Sequence, residues 1–491
     1  MQDLTTLSAG ALAAAIAARQ VAALDVLDAY LAQIARWNPR LNAIITLDAA
    51  GARRRAQAAD AALARGESWG PLHGVPITLK DGHSTAGLRT TAGYPPLAEH
   101  VPAADGTVAA RLRAAGAIIL GKTNVPPLLL DIQTANPIFG RTNNPWDLAR
   151  TPGGSSGGAA AALAAGLTAL DIGSDYAGSI RIPAAFCGLF ALKPTEHRVS
   201  MAGHIPDLPG TLRAHRLLWA IGPLARSIPD LTLAFRILAG PDGHDPAVPP
   251  VPLDDPPALA LSDLRLAWAP TFPGVPVAEA IAAALYDLAA ELARQGARVA
   301  QQLPDVDFGD QIRLRGLLGK ALVAVAAPES GPGPPLADYF ALLERRDAAI
   351  RAWDAFFGDW DAFLCPVAMR TAFPHCPPET PLLVDGVTVK YWRIIDHCRI
   401  FSLTGHPVVV VPAGLDAEGL PIGVQIAGPR WAEARLLAIA ARIAAVVPPL
   451  SRPPLPAVRR PQARLRARRS PAIDISRWSA GARRARLCFI T

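Results

Sequence analysis

The stretch RTPGGSSGGAAAALAAG, residues 150–166, decides how this chain is read. Four glycines and two serines together suggest a flexible linker, yet alanine, the best helix former, follows at once. A phosphate-binding loop needs a lysine after its glycines, and this stretch has none. Gly153-Gly154-Ser155-Ser156-Gly157 formally matches a nucleophile elbow, but that turn requires a buried strand leading straight into it. The preceding GRTNNPWDLARTP is polar and turn-rich, and a strand-like LTALDIGSD (167–175) comes only after the alanines. The two serines therefore belong to a structured turn of another kind.

Working outward, LTALDIGSD runs into a second small-residue turn, GSDYAGSIRIPAAFCG (173–188), which contains Ser179. Upstream, HGVPITLKDG (73–82) reads as a short buried strand ending at Lys80. TVAARLRAAG (107–116) reads as a helix closed by Gly116, and AIILGKTN (117–124) as a second buried strand. Residues 8–66 read as two or three amphipathic helices. Strand and helix alternate to about residue 235, which predicts an α/β layered domain. A Pro-rich connection covers 240–258, helical patterns dominate 277–297, and PVVVVPAGL and LPIGVQIAG (407–415 and 420–428) predict two strands joined near Glu418-Gly419. A closing helix follows in RWAEARLLAIAARIAAV (430–446). Because the pattern resumes after each break, residues 1–450 read as one domain.

The 491 residues are 51% hydrophobic and 18% charged, enough to build a large core. The net charge of +7 is unevenly placed: residues 451–491 hold eleven arginines and one aspartate, a charge of +10, leaving −3 on residues 1–450. That Arg/Pro-rich tail has no hydrophobic period and is expected to be disordered and solvated. Nucleic-acid binding is not expected of the body. Five scattered cysteines without paired spacing read as reduced thiols, and neither a signal peptide nor a membrane-length apolar run is found. The expected location is cytoplasmic. No His, Cys or carboxylate spacing suggests a metal, and no cofactor is expected.

A serine needs a base to become nucleophilic. His73, His83, His197 and His204 lie in this region, but none sits in a triad-like context. A lysine can serve if burial depresses its pKa, and only five lysines occur, Lys80 among them.

GVPITLKD (74–81), AAGAIILGKTN (114–124), NNPWDLARTPGGSSGG (143–158), GSDYAGSIRIPAAFCGLFALKPT (173–195) and GPLARSIPDLTLAF (222–235) together resemble the amidase signature family. The likeness runs from about Leu7 to Ala445, with the signature core at about 70–235. It implies a large mixed central β-sheet covered by helices on both faces. It also implies a Ser-cisSer-Lys triad, with Ser179 the nucleophile, Ser155 the bridging serine in a cis peptide and Lys80 the base. By the same resemblance the backbone N–H groups of Tyr176, Ala177, Gly178 and Ser179 hold the oxyanion. Ser156, Asp175 and Arg181 brace the turns, the last two as an ion pair.

The implied reaction is hydrolysis of a carboxylic amide C–N bond in a small molecule through an acyl-enzyme, releasing carboxylate and ammonia or amine. Three departures from the family pattern stand out. Ala177 replaces a glycine, a cost if that position needs φ > 0. Tyr176 replaces a smaller residue, and Pro127 stands where many relatives carry an acid. Two alternatives remain: the glutaminase (A) subunit of a tRNA-dependent amidotransferase, and a catalytically impaired binding relative. Ile182, where such glutaminase subunits typically have Gln, argues for a less polar substrate. Substrate-contacting segments are expected at 125–135, 310–350 and 365–402, which hold Leu128, Phe340, Trp392 and Phe401. A homodimer is allowed; the sequence does not name the amide.

Overall fold

In the run Val408–Val411, alternate side chains enter different cores. Val408 and Val410 pack with the aromatic cluster around Trp353 and Phe363, whereas Val409 and Val411 join Leu192, Leu364 and Ile426. A strand with both faces covered needs apolar residues at every position, and four consecutive valines supply them. The same logic holds across an eleven-stranded mixed sheet in this computed structural model, which describes residues 3–205, 217–255, 257–326 and 332–455.

From one edge the strands are Ile44–Leu47, Ile118–Thr123, Pro76–Lys80, Asp171–Asp175, Ala220–Ala225 and Phe190–Lys193. The order continues through Val408–Leu415, Pro421–Ala427, Ala362–Pro366, Arg265–Trp268 and Arg298–Gln301. Helices cover both faces. On one side, Ala23–Leu41 turns Val26, Leu27, Tyr30 and Ile34 onto the sheet, and Glu433–Val446 does so with Leu436, Leu437, Ala440 and Ile443. On the other lie Gly157–Ala164 and Arg181–Cys187, in which every residue is buried.

The first strand departs from expectation. The pattern of residues 8–66 predicts helices alone, but Ile44–Leu47 pairs antiparallel with Ile118–Thr123 between the helices Ala23–Leu41 and Ala49–Ala64. Four residues are too few to display a period of two, so edge pairing decides their conformation. The Arg/Pro-rich tail beyond residue 455 lies outside the described residues. Of that tail, the described residues 451–455 touch the body, where Arg452 donates through Nη2 to the Thr5 carbonyl at 2.6 Å. Among the described residues, no helix is long and apolar enough to cross a membrane.

The central arrangement brings Pro76–Lys80 between Ile118–Thr123 and Asp171–Asp175, parallel to both. Lys80 and Asp175 thus end neighbouring parallel strands, and the loops beyond those carboxyl ends are where ligands bind in sheets of this kind.

Candidate active site

Lys80 is fully buried at its strand end. Its Nζ lies 2.7 Å from Ser155 Oγ and 3.1 Å from both the carbonyl oxygen and the hydroxyl of Ser174. Burial pushes its pKa down to about 7, against the pull of the Asp175 and Asp171 carboxylates. A buried lysine held by neutral partners gives up its proton readily, so this amine is poised to act as a base.

The segment presenting Ser155 explains its glycines. Gly153 has φ +84°, a conformation costly for residues with a Cβ. A Cβ on Gly154 would come within 2.6 Å of the carbonyl oxygens of both Asp131 and Gln133. Gly157 and Gly158 are crowded in the same way, by Thr134 Oγ1 at 2.3 Å and Asn124 N at 2.3 Å. The peptide bond joining Gly154 to Ser155 is cis. Ser156 is buried, and its N–H donates to the Ser179 carbonyl at 3.1 Å, tying the two serine-bearing turns together.

Ser179 follows the Asp171–Asp175 strand, is partly exposed, and lines a cavity of about 30 Å³. Asp175 organises its turn by accepting from Gly178 N (2.7 Å) and Ile180 N (3.1 Å) and pairing with Arg181 (Nη2 2.9 Å, Nε 3.0 Å). Both members of that pair are fully buried. Burial alone would raise the Asp175 carboxyl; the Arg181 guanidinium overcomes this and holds it well below the usual carboxylate range. Arg181 also donates to the Cys398 carbonyl (3.0 Å), Gln425 Oε1 (3.2 Å) and Ser402 Oγ (2.7 Å), a fixed network.

Three expectations about this turn change. Gly178 does not offer its N–H to an oxyanion, because Asp175 already accepts that hydrogen; the Tyr176, Ala177 and Ser179 amides remain the candidates. Ala177 does not take a positive φ; Gly178 does, at +116°, so the alanine carries no such cost. Ile182 is absent from the lining of the Ser179 cavity. It packs beneath the turns, where Cβ atoms on Gly153 and Gly178 would meet it at 3.2 and 3.0 Å.

The cavity wall draws on all three expected segments, through Leu129, Leu130, Asp131, Arg315, Trp392 and Ile395. Phe401 is instead fully buried against Trp353, with ring centroids 4.9 Å apart, and Phe340 is 60% exposed. Tyr176 stacks on Trp219 with centroids 4.7 Å apart and lies under the Arg315 guanidinium. Sequence reasoning misses Ser174, Asp131 and Arg315. A serine inside a strand, an acid after three leucines and one arginine in an amphipathic helix carry no local signal. Among the described residues, no group of three or more His, Cys, Asp or Glu side chains forms a metal-binding cluster.

The amidase family model matches residues 25–326 and 336–437, and the chain belongs to the amidase signature family. An acylamidase of Rhodococcus erythropolis is 33% identical, the alignment covering 91% of this chain and 97% of that protein. The (A) subunit of the glutamyl-tRNA(Gln) amidotransferase of Salinispora tropica is also 33% identical, over 93% of this chain and all of the relative. Among solved structures, 6-aminohexanoate cyclic dimer hydrolase complexed with substrate superimposes with a TM-score of 0.78 at 27% identity, covering 92% of this chain and 99% of that one.

Proposed function

We propose that the protein is an amidase that cleaves a carboxylic amide through an acyl-enzyme on Ser179, with Ser155 as proton bridge and Lys80 as base. The observation that carries this reading is the 2.7 Å contact between Lys80 Nζ and Ser155 Oγ at a fully buried lysine. Neutral Lys80 takes the Ser155 hydroxyl proton as Ser155 takes that of Ser179. The freed Ser179 Oγ then bonds to the amide carbonyl carbon. The carbonyl oxygen becomes an oxyanion, and the N–H groups of Tyr176, Ala177 and Ser179 are the donors available to it. The proton returns through Ser155 to the leaving nitrogen as the C–N bond breaks, giving amine or ammonia and an ester on Ser179. Water, deprotonated along the same path, hydrolyses that ester.

The amidotransferase reading is supported by the Salinispora tropica relative, which matches this chain along its full length. The two readings part on the fate of ammonia and on whether a partner is needed. A screen of simple amides with the isolated chain, followed by intact-protein mass spectrometry, tests both. Turnover without a partner and an acyl adduct mapping to Ser179 are expected. Activity confined to glutamine, or an adduct elsewhere, would overturn the proposal.

A further inference from the structure

Arg315, on the helix Phe308–Ala326, is 1% exposed and lines the Ser179 cavity. Its Nη2 donates to the Tyr176 carbonyl at 2.8 Å, and its guanidinium carbon stands 4.0 Å from the Tyr176 ring centroid. Its Nε is buried without a partner, and among the described residues no carboxylate forms an ion pair with it. Behind it, Arg399 is 4% exposed; its Nη1 lies 3.0 Å from Asp396, while its Nε and Nη2 have no partner. Asp396 is shared with Arg393, at 3.0 Å. One carboxylate therefore serves two guanidinium groups, and a third stands at the cavity wall with, among the described residues, no carboxylate at ion-pair distance, Asp175 acting on it only from further off. Burial, and the charge of Arg315 nearby, bring Arg399 down to about 10 despite Asp396.

An isolated buried cation is costly, and an arginine cannot escape the cost by losing its proton. A ligand anion removes the penalty, and a guanidinium fork suits a carboxylate. Much of the wall, including Leu129, Leu130, Ile132 and Ile395, is apolar and leaves little room. Asp131 closes another corner, its Oδ1 accepting from the Tyr391 hydroxyl at 2.5 Å, and repels an anion there. We infer that Arg315 is the specificity-determining residue for a carboxylate on the acyl part of the substrate. The preferred substrates are then short monoamides of dicarboxylic acids. This inference rests on Ser179 being the nucleophile of the same cavity.

The test compares succinamate with butyramide, matched in length and differing in the terminal carboxylate. Wild type is expected to favour succinamate by at least tenfold in kcat/KM, and Arg315→Met to lower that ratio at least tenfold. Arg315→Lys should keep part of the preference, because it keeps the charge but not the fork. Equal turnover of the two amides by wild type, or a ratio unchanged in Arg315→Met, would overturn the inference. Should Arg315→Met not fold, succinate binding to Ser179→Ala, read as a thermal shift exceeding that from succinamide, decides the matter without chemistry; no excess shift counts against it. Persistent turnover of both amides by Ser179→Ala would instead break the nucleophile assignment and leave the anion-binding result standing.

Discussion

Two basic side chains meet the serine-bearing turns, Lys80 at Ser155 and Arg315 at the Ser179 cavity, and both are buried. On the sheet side Lys80 is held by Ser155 and Ser174. On the helical side Arg315 has one carbonyl, one aromatic ring and an unpartnered Nε. Burial has opposite consequences for the two. Lysine responds by releasing its proton near neutrality, which makes a base. Arginine keeps its charge at any ordinary pH, which makes a cation in want of an anion. The difference separates a group suited to move protons from one suited to choose a substrate.

The comparison breaks first at the proposed nucleophile and base. Ser179→Ala and Lys80→Ala are each expected to lower kcat by about 10⁴-fold or more, measured with whichever amide the screen finds. Lys80→Arg is the sharper form, since it preserves charge and removes the base. Activity in Lys80→Arg comparable to wild type would refute the role given to Lys80. Ser155→Ala should cost about 10²- to 10⁴-fold, because a water can replace the bridging hydroxyl poorly.

Asp175→Asn tests the rigid support of the Ser179 turn. It leaves Arg181 buried and unpaired, and about 3–5 kcal/mol of stability is expected to be lost in denaturant unfolding. A loss below about 1 kcal/mol would show that the pair does not hold the turn.

The pH dependence comes next. The reactive form has Lys80 neutral, and its folded pKa of about 7 lies below the ordinary 10.5, so the neutral fraction grows as pH rises through 7. kcat/KM should therefore fall about tenfold per unit below that point. A flat profile between pH 5 and 8 would exclude Lys80 as the base. The smallest effect belongs to Ala177→Gly. Because Ala177 does not have a positive φ, the substitution should change kcat by less than about threefold, and a large gain in activity would show that the alanine impairs the turn.

Much of this site was legible in the sequence because it is written in contiguous runs. The strand ending at Lys80 is announced by VPITL before a charged pair, and the Ser179 turn by a strand running into small residues. The glycines around Ser155 and Ser156 signal a special turn, but not its chief cause. Gly154 and Gly158 exist because the neighbouring backbone of Asp131, Gln133 and Asn124 passes too close for a Cβ, which no local pattern reveals. The Gly178 amide illustrates the same limit. Its place in the Ser179 turn is readable, whereas its capture by Asp175 depends on how four residues fold back on themselves.

The sequence by itself therefore determined the family and, through that resemblance, the mixed sheet under helices, since a dense motif encodes them, and it put Lys80, Ser155 and Ser179 forward as the site. Only the tertiary structure decided what surrounds Ser179. Leu129, Asp131, Arg315, Trp392 and Ile395 come from segments up to 266 residues apart. Their side chains acquire meaning when packing removes water from between them, turning an ordinary helical arginine into a buried charge with no carboxylate paired to it.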